Sequence, residues 1–197
     1  MREQLERGAL AAAPWLLGKH LRLGPVTLRI TEVEAYCGPS DSAAHTAMGR
    51  TPRNAPMWGP AGHVYIYLCY GIHQMVNVVC GPVDTGEAVL VRACEVVSGL
   101  EIVTTRRGGK SGPVLLTGPG KVGQALGVTT ALSGVDLLDG EGLELLNAPA
   151  VDDILVGPRV GIDYAKPQHR DALWRFAVAG TRWVSQRKHL ERPASAG

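Results

Sequence analysis

Aromatic side chains are scarce in this chain, with one phenylalanine, four tryptophans and five tyrosines among 197 residues. Any cluster of rings therefore stands out. Cysteine occurs four times, at Cys37, Cys69, Cys80 and Cys94, and never as C-x-x-C. That spacing argues against a zinc site or a thioredoxin-like motif and leaves buried free thiols as the plainer reading. No apolar stretch approaches the length of a membrane span. The opening MREQLERG carries both signs of charge ahead of a short apolar run, Ala9 to Leu17, that lacks a signal-peptide cleavage pattern, so a cytosolic protein is expected. There is no internal repeat and no low-complexity tract. The GPGK at Gly118 to Lys121 lacks the spacer between glycines and the Ser or Thr after lysine that a nucleoside-triphosphate loop requires.

Net charge is also low, at +2, so composition alone does not announce a nucleic-acid partner. The distribution says more. Asn54 to Val91 holds no Lys or Arg, and Thr129 to Pro158 holds six acids and no base. The cations crowd elsewhere, at Arg50 and Arg53, Arg92, Arg106 to Lys121 and Arg159 to Arg192, where folding could gather them on one face or leave them as ordinary solvated surface.

The length and the 45% hydrophobic content suit one well-filled core, a single domain over 1–197 with a loose tail from about residue 188. Frequent Gly and Pro predict many turns. A helix near Ala11 to Leu17 precedes a strand, a Gly24-Pro25 turn and a second strand, Val26 to Tyr36. Residues 37–62, rich in Gly, Pro, Ser and Asn, read as a long loop of the functional kind. A hairpin follows, with strands at Val64 to Cys69 and Gln74 to Cys80 around a turn at Tyr70 to Ile72. EAVLVRACEVV reads as a strand, TGPGKVGQALGV as a loop opening a helix that ends at Gly127, AVDDILVGPRVGIDYA as supplying a late strand and RFAVAGTRWVS a final one. The sum is an α+β domain around a curved, largely antiparallel sheet with flanking helices.

Seven positions draw attention. Glu34, at a strand end, could be a general base at a cleft mouth or a solvated glutamate. Strand alternation puts Glu32, Glu34 and Tyr36 on one side without settling which side is inward. His45 follows the small pair Ala43 and Ala44, a place where a flat ligand could approach backbone, or where a loop histidine satisfies itself locally. Tyr65 and Tyr67 share a strand face and could be a core pair. Tyr70, beside the turn glycine Gly71, belongs at an exposed hairpin tip, where proteins that bend duplexes carry wedges. Asn77 is a polar residue inside MVNVV, and Arg92 a cation inside VLVRAC. Each calls for a buried partner or a ligand.

Taken together, EVEAYCGPSDSAAHTAMGRTPRNAPMW, HVYIYLCYGIHQMVNVV, VLVRACE, TGPGKVGQALG, PRVGIDYA and RFAVAGTRWVS resemble the alkyladenine (3-methyladenine, methylpurine) DNA glycosylase family from about Leu16 to Ser185. The resemblance implies base-excision repair of alkylated or deaminated purines by flipping the damaged nucleotide from duplex DNA. Glu34 would be the general base that activates water. Arg92 would stand near that water and the target phosphate. Tyr36 and His45, with Ala43, would line one side of the base pocket and Tyr67 the other, while Asn77 crowds the 2-amino group of normal guanine. Tyr70 and Gly71 would form a wedge on a hairpin inserted into DNA. Arg50, Arg53, Gly118 and Lys121 are the candidates for backbone contacts.

A protonated His45, or a solvent path to N7, would assist neutral bases. No pocket candidate is a lysine, so a monofunctional enzyme without Schiff-base chemistry is implied, with no cofactor, no metal, no membrane partner and a monomeric state. The implied setting is a bacterial-type cytoplasm, with the nucleoid reached through DNA binding. Departures from the family are Trp58, His73 and a short hairpin at Gly24. Two other functions remain open, a binder of damaged duplex without turnover and a hydrolase of free nucleosides.

Overall fold

A computed structural model describes residues 1–193. Its frame is an antiparallel sheet grown around one long strand. β1 (His20–Leu23) and β2 (Val26–Tyr36) close through Gly24-Pro25, with Leu23 opposite Val26. β3 (Val64–Cys69) and β4 (His73–Cys80) make the hairpin, followed by β5 (Glu87–Ser98), β6 (Leu143–Leu146), β7 (Ile154–Gly157) and β8 (Arg175–Val178). The main order is β3-β4-β5-β2-β1-β6. β8 takes the edge of β2 past the end of β1 and pairs in turn with β7.

The helices are short: α1 (Arg2–Leu5), α2 (Ala9–Leu16), α3 (Leu100–Arg106), α4 (Pro119–Leu126) and α5 (Pro167–Arg170). α2 presents Ala9, Ala12, Ala13 and Leu16 to the core, and the Glu87 carboxylate accepts the Ala9 N–H at 2.7 Å from β5. Leu16 and Leu28 are fully buried, each such side chain contributing about 1.5–3 kcal/mol relative to exposure. α4 lies close on β4 because Gly123 has no Cβ; one there would run into the Gln74 carbonyl. It ends, as its sequence predicts, at a left-handed Gly127.

The feature of β2 that positions the site is a bulge. Val26, Leu28 and Ile30 face the main core, but so do Val33 and Ala35, and the register against β5 shifts on both sides of Glu32. A strand alternates strictly, so a core face that changes from even to odd residues requires an extra residue in between. The bulge therefore turns Glu32, Glu34 and Tyr36 away from the aliphatic core and onto the opposite face of the sheet. Without it they would lie among leucines and valines.

α3 and β6 were not foreseen, and the late strands are shorter than the apolar text suggests. The tail expected to be loose from about residue 188 is bonded well beyond that point. Glu191 exchanges backbone hydrogen bonds of 2.8 and 2.9 Å with Val156, and Arg192 pairs with Asp153. Gly157 makes this docking feasible, since a Cβ there would collide with the His189 carbonyl. The last part of that expectation, residues 194–197, lies outside the described residues. All four cysteines are free; Cys80 and Cys94 are buried, Cys37 and Cys69 partly so. Among the described residues no helix is long and apolar enough to cross a membrane.

Candidate active site

The face that the bulge turns outward carries two carboxylates with different fates. Glu34 is fully buried. Its Oε1 accepts the Val160 N–H at 2.7 Å, and its Oε2 accepts the Tyr36 hydroxyl at 3.0 Å and lies 3.2 Å from Arg92 Nη1. The two hydrogen bonds and the ion pair engage about three of the four lone-pair positions that a carboxylate offers, one on Oε1 and two on Oε2. Glu32 is equally buried but more heavily engaged: the Ser185 hydroxyl (2.8 Å), Arg92 Nε (3.1 Å) and Arg175 Nη1 (3.3 Å) all donate to its Oε1, and the Ser185 N–H (2.6 Å) donates to its Oε2. Glu34 keeps an acceptor position in reserve on Oε1, and its partners, unlike Ser185 and Arg175, line a cavity. It is thus neither a solvated strand-end glutamate nor a residue at a cleft mouth. It stands directly behind Tyr36, Arg92 and Val160, all of which line a cavity of about 480 Å³.

Arg92 is 6% exposed, and its guanidinium bridges both carboxylates. Burial opposes its charge, but Glu34 and Glu32 outweigh that and raise its pKa further above the ordinary arginine value. For Tyr36, burial and then the Glu34 charge push the phenol well above its ordinary range, so it stays a neutral donor.

The cavity walls come from separate parts of the chain. Tyr65 and Tyr67 stack at 5.5 Å between centroids and 29° between planes. The His45 ring stands edge-on to Tyr67 at 4.4 Å, with Nδ1 3.1 Å from the Tyr65 hydroxyl. A flat ring held between two faces needs about 7 Å, two carbon contacts of 3.5–4 Å, so nothing fits between His45 and Tyr67. The expected arrangement is corrected here. His45 shares a wall with Tyr67 and Tyr65, and Tyr36 forms another. Burial and the neighbouring Arg53 both lower the His45 pKa, which favours the neutral imidazole over the protonated form expected from sequence.

Ala43 is buried, its N–H on Asp41 Oδ1 (3.0 Å) and its carbonyl accepting the Tyr164 hydroxyl (3.2 Å). Asn77, 5% exposed, donates both amide hydrogens to the Tyr65 and Met75 carbonyls at 3.0 and 3.2 Å. That leaves its oxygen as the group it can offer to the cavity.

Tyr70 stands at the hairpin tip, 91% exposed, with φ of 50°, next to Gly71 at 71°. The Ile72 N–H closes the turn on the Cys69 carbonyl at 3.1 Å. Two successive left-handed residues suit the twist of a hairpin, but a tyrosine in that region is strained. Gly71 carries its share freely. Tyr70 has no burial to compensate for the strain.

The four backbone candidates divide. Arg53 lies at the cavity rim, its guanidinium carbon 5.6 Å from the Tyr67 centroid and Nη2 on the Leu68 carbonyl. Arg50 pairs with Asp84 in solvent. Gly118 does not offer the amide expected of it, because its N–H is engaged by the Arg92 carbonyl at 3.0 Å and Pro119 has none. Lys121 sits with Arg107 and Lys110 close enough to lower its pKa, after burial.

Reading the sequence missed several supports. Arg159 is buried between the rings of Tyr36 (4.7 Å) and Trp174 (4.9 Å) and bonds Asp41 through both oxygens, at 2.6 and 2.9 Å. Asn54, 3% exposed, ties the long loop together: its amide donates to the His45 and Gly49 carbonyls and its oxygen accepts the Thr51 N–H and Trp58 Nε1. Trp58 is therefore part of the His45 loop and not of the hairpin tip, while His73 packs against Gly120 of α4. A buried Asn in a loop of Gly and Pro was the one available signal; PRVGIDYA carried none for Arg159. Among the described residues no lysine lines the cavity.

The family model for methylpurine-DNA glycosylase matches residues 3–182. The chain belongs to the methylpurine-DNA glycosylase family. It is 57% identical over 187 residues to a DNA-3-methyladenine glycosylase of Arabidopsis thaliana, covering 94% of this chain and 73% of that protein. It is 52% identical over 185 residues to a putative 3-methyladenine DNA glycosylase of Nitrosococcus oceani, covering 94% and 92%. Membership makes the chain a DNA glycosylase, a hydrolase of N-glycosyl bonds in base-excision repair.

Proposed function

We propose that this glycosylase excises alkylated purines, 3-methyladenine and 7-methylguanine, together with hypoxanthine and ethenoadenine, from duplex DNA through a Glu34-activated water and leaves an intact abasic site. The observation that carries the reading is the buried Glu34 with an acceptor position in reserve, directly behind a cavity walled by Tyr36 on one side and His45, Tyr65 and Tyr67 on another.

A base in a duplex cannot present its glycosidic bond, so it is extruded at a cost of a few kcal/mol, least for damaged or mispaired bases. The hairpin tip enters the duplex and Tyr70 fills the gap, which slows the return. In the cavity, stacking contributes about 1–3 kcal/mol, and a cationic alkylpurine adds a cation–π attraction to the same rings. Asn77 crowds the edge where guanine carries its 2-amino group. Water held by Glu34 attacks C1′ as the N-glycosidic bond breaks; the bonding pair leaves with the purine and Glu34 takes the proton. The developing positive charge on the sugar faces the Glu34 carboxylate, as in glycoside hydrolysis. A cationic base departs as a neutral molecule and needs no acid. A neutral base takes its proton by the solvent path, because His45 is held toward its neutral form.

The test is single-turnover base release from dimethyl-sulfate-treated duplex and from an oligonucleotide with one hypoxanthine opposite thymine. Glu34→Gln is expected to lower release by about 10²–10⁴-fold, the usual range for a general base, while duplex affinity survives. Release by the variant at the native rate would remove Glu34 from its role. A native protein that binds both duplexes and releases nothing would be a damage binder. Borohydride trapping of an enzyme–DNA adduct would overturn the monofunctional reading.

A further inference from the structure

The mechanism uses Glu34 and leaves the second buried carboxylate without a task. Arg92 donates Nε to Glu32 and holds Nη1 in an ion pair 3.2 Å from Glu34 Oε2, one guanidinium shared between two carboxylates. A guanidinium facing a single carboxylate prefers a two-pronged contact with both oxygens. Such a contact with Glu34 would occupy the acceptor position that the attacking water needs. Glu32 prevents it, because three donors from Ser185 and Arg175 hold it in place and it in turn holds Nε. Arg175, fully buried, balances the second negative charge, and Ser185 supplies two of the bonds from the turn after β8.

We propose that Glu32 is a positioning residue for excision, keeping Arg92 in a one-pronged contact with Glu34 Oε2 so that Oε1, which accepts only the Val160 N–H, keeps a lone pair for water, with Ser185 and Arg175 as its anchors. The proposal rests on the reading of Glu34 as the base. It assigns a part in the chemistry to the C-terminal turn beyond residue 182, where the family match ends.

The test is a double-mutant cycle between Glu32→Gln and Arg92→Met, read as the single-turnover excision rate at saturating enzyme, with affinity for duplex carrying a tetrahydrofuran abasic analogue measured beside it. Glu32→Gln is expected to lower the rate about 10- to 100-fold, the scale on which outer partners of metal ligands act, with affinity for the abasic duplex held within about threefold. In the Arg92→Met background the same change should cost less than about twofold, because residues acting through one another are not additive. An equal loss in both backgrounds, or a native rate in folded Glu32→Gln, overturns the proposal. If the single variant does not fold, Glu32→Gln/Arg175→Gln removes opposite charges together and takes its place in the cycle. Ser185→Ala, which deletes one bond and no charge, should lower the rate by about fivefold, the equivalent of one hydrogen bond, with abasic affinity unchanged; a native rate there counts against the proposal. Failure of the native protein to release any base would instead sink the reading of Glu34, and this inference with it.

Discussion

Replacing Arg159 by methionine removes the one cation that neutralises Asp41 in the interior. Both side chains are fully buried, and the two bonds between them are 2.6 and 2.9 Å long. The methionine fills similar volume and leaves the Asp41 charge without a counterion. Breaking a buried pair from one side costs about 3–5 kcal/mol. The bonds to the Ala35 and His169 carbonyls and the two ring contacts go as well. Against a total stability of about 5–15 kcal/mol the variant folds but is weakened. For a chain of this size each kcal/mol is worth about 2–4 °C, so the midpoint of thermal unfolding at neutral pH should fall by about 6–20 °C.

A second substitution separates the charge from the packing. Asp41→Asn in the methionine background removes the stranded charge and should recover about 1–3 kcal/mol, although the same change is destabilising in the native protein. A fall under about 3 °C, or an Asp41→Asn penalty equal in both backgrounds, would refute the reasoning, since either result means the pair is not the buried, coupled unit described.

Two further outcomes are expected. Tyr70→Gly should stabilise the protein by up to about 1 kcal/mol, because it releases a left-handed tyrosine with nothing to bury. The same change should weaken binding to abasic-analogue duplex by about fivefold or more through lost stacking; chemical denaturation and fluorescence anisotropy should therefore move in opposite directions, and a parallel loss of both would assign Tyr70 to the fold. Burial pushes the Asp41 carboxyl up, but the Arg159 bonds and the Ala43 and Cys37 N–H groups outweigh it and hold the pKa below the ordinary 3.8. Its stabilisation is then fully present above pH 3.8 and lost as pH falls through the lower folded value. Denaturant midpoints followed into acid should show less loss for Asp41→Asn than for the native protein; identical acid limbs would mean that Asp41 is not held in its charged form.

The local text determined a good deal. Partial alternation in β2, apolar runs in β4 and β5 and the turn glycines between strands located β2, β3, β4 and β5 within a residue or two, because a strand buried on one face alternates and one buried on both faces runs apolar. The dipeptide of tyrosine and glycine at Tyr70 placed a ring in solvent, since no core can reach past a two-residue turn. Six ordered segments were specific enough to give the family. Spacing did not distinguish Glu34 from Glu32, because both sit at the same parity on the same strand.

Only the tertiary structure separated those two. The bulge beside Glu32 decided which face both occupy, and partners more than 100 residues away decided how each is held: Ser185 and Arg175 converge on Glu32, while Glu34 receives a single distant amide from Val160. The shared wall of His45 and Tyr67 and the Arg159 brace behind Tyr36 were likewise set by long-range packing. A side chain's type and local period follow from its neighbours in sequence. How many donors meet a buried carboxylate depends on which distant segments the core brings against it.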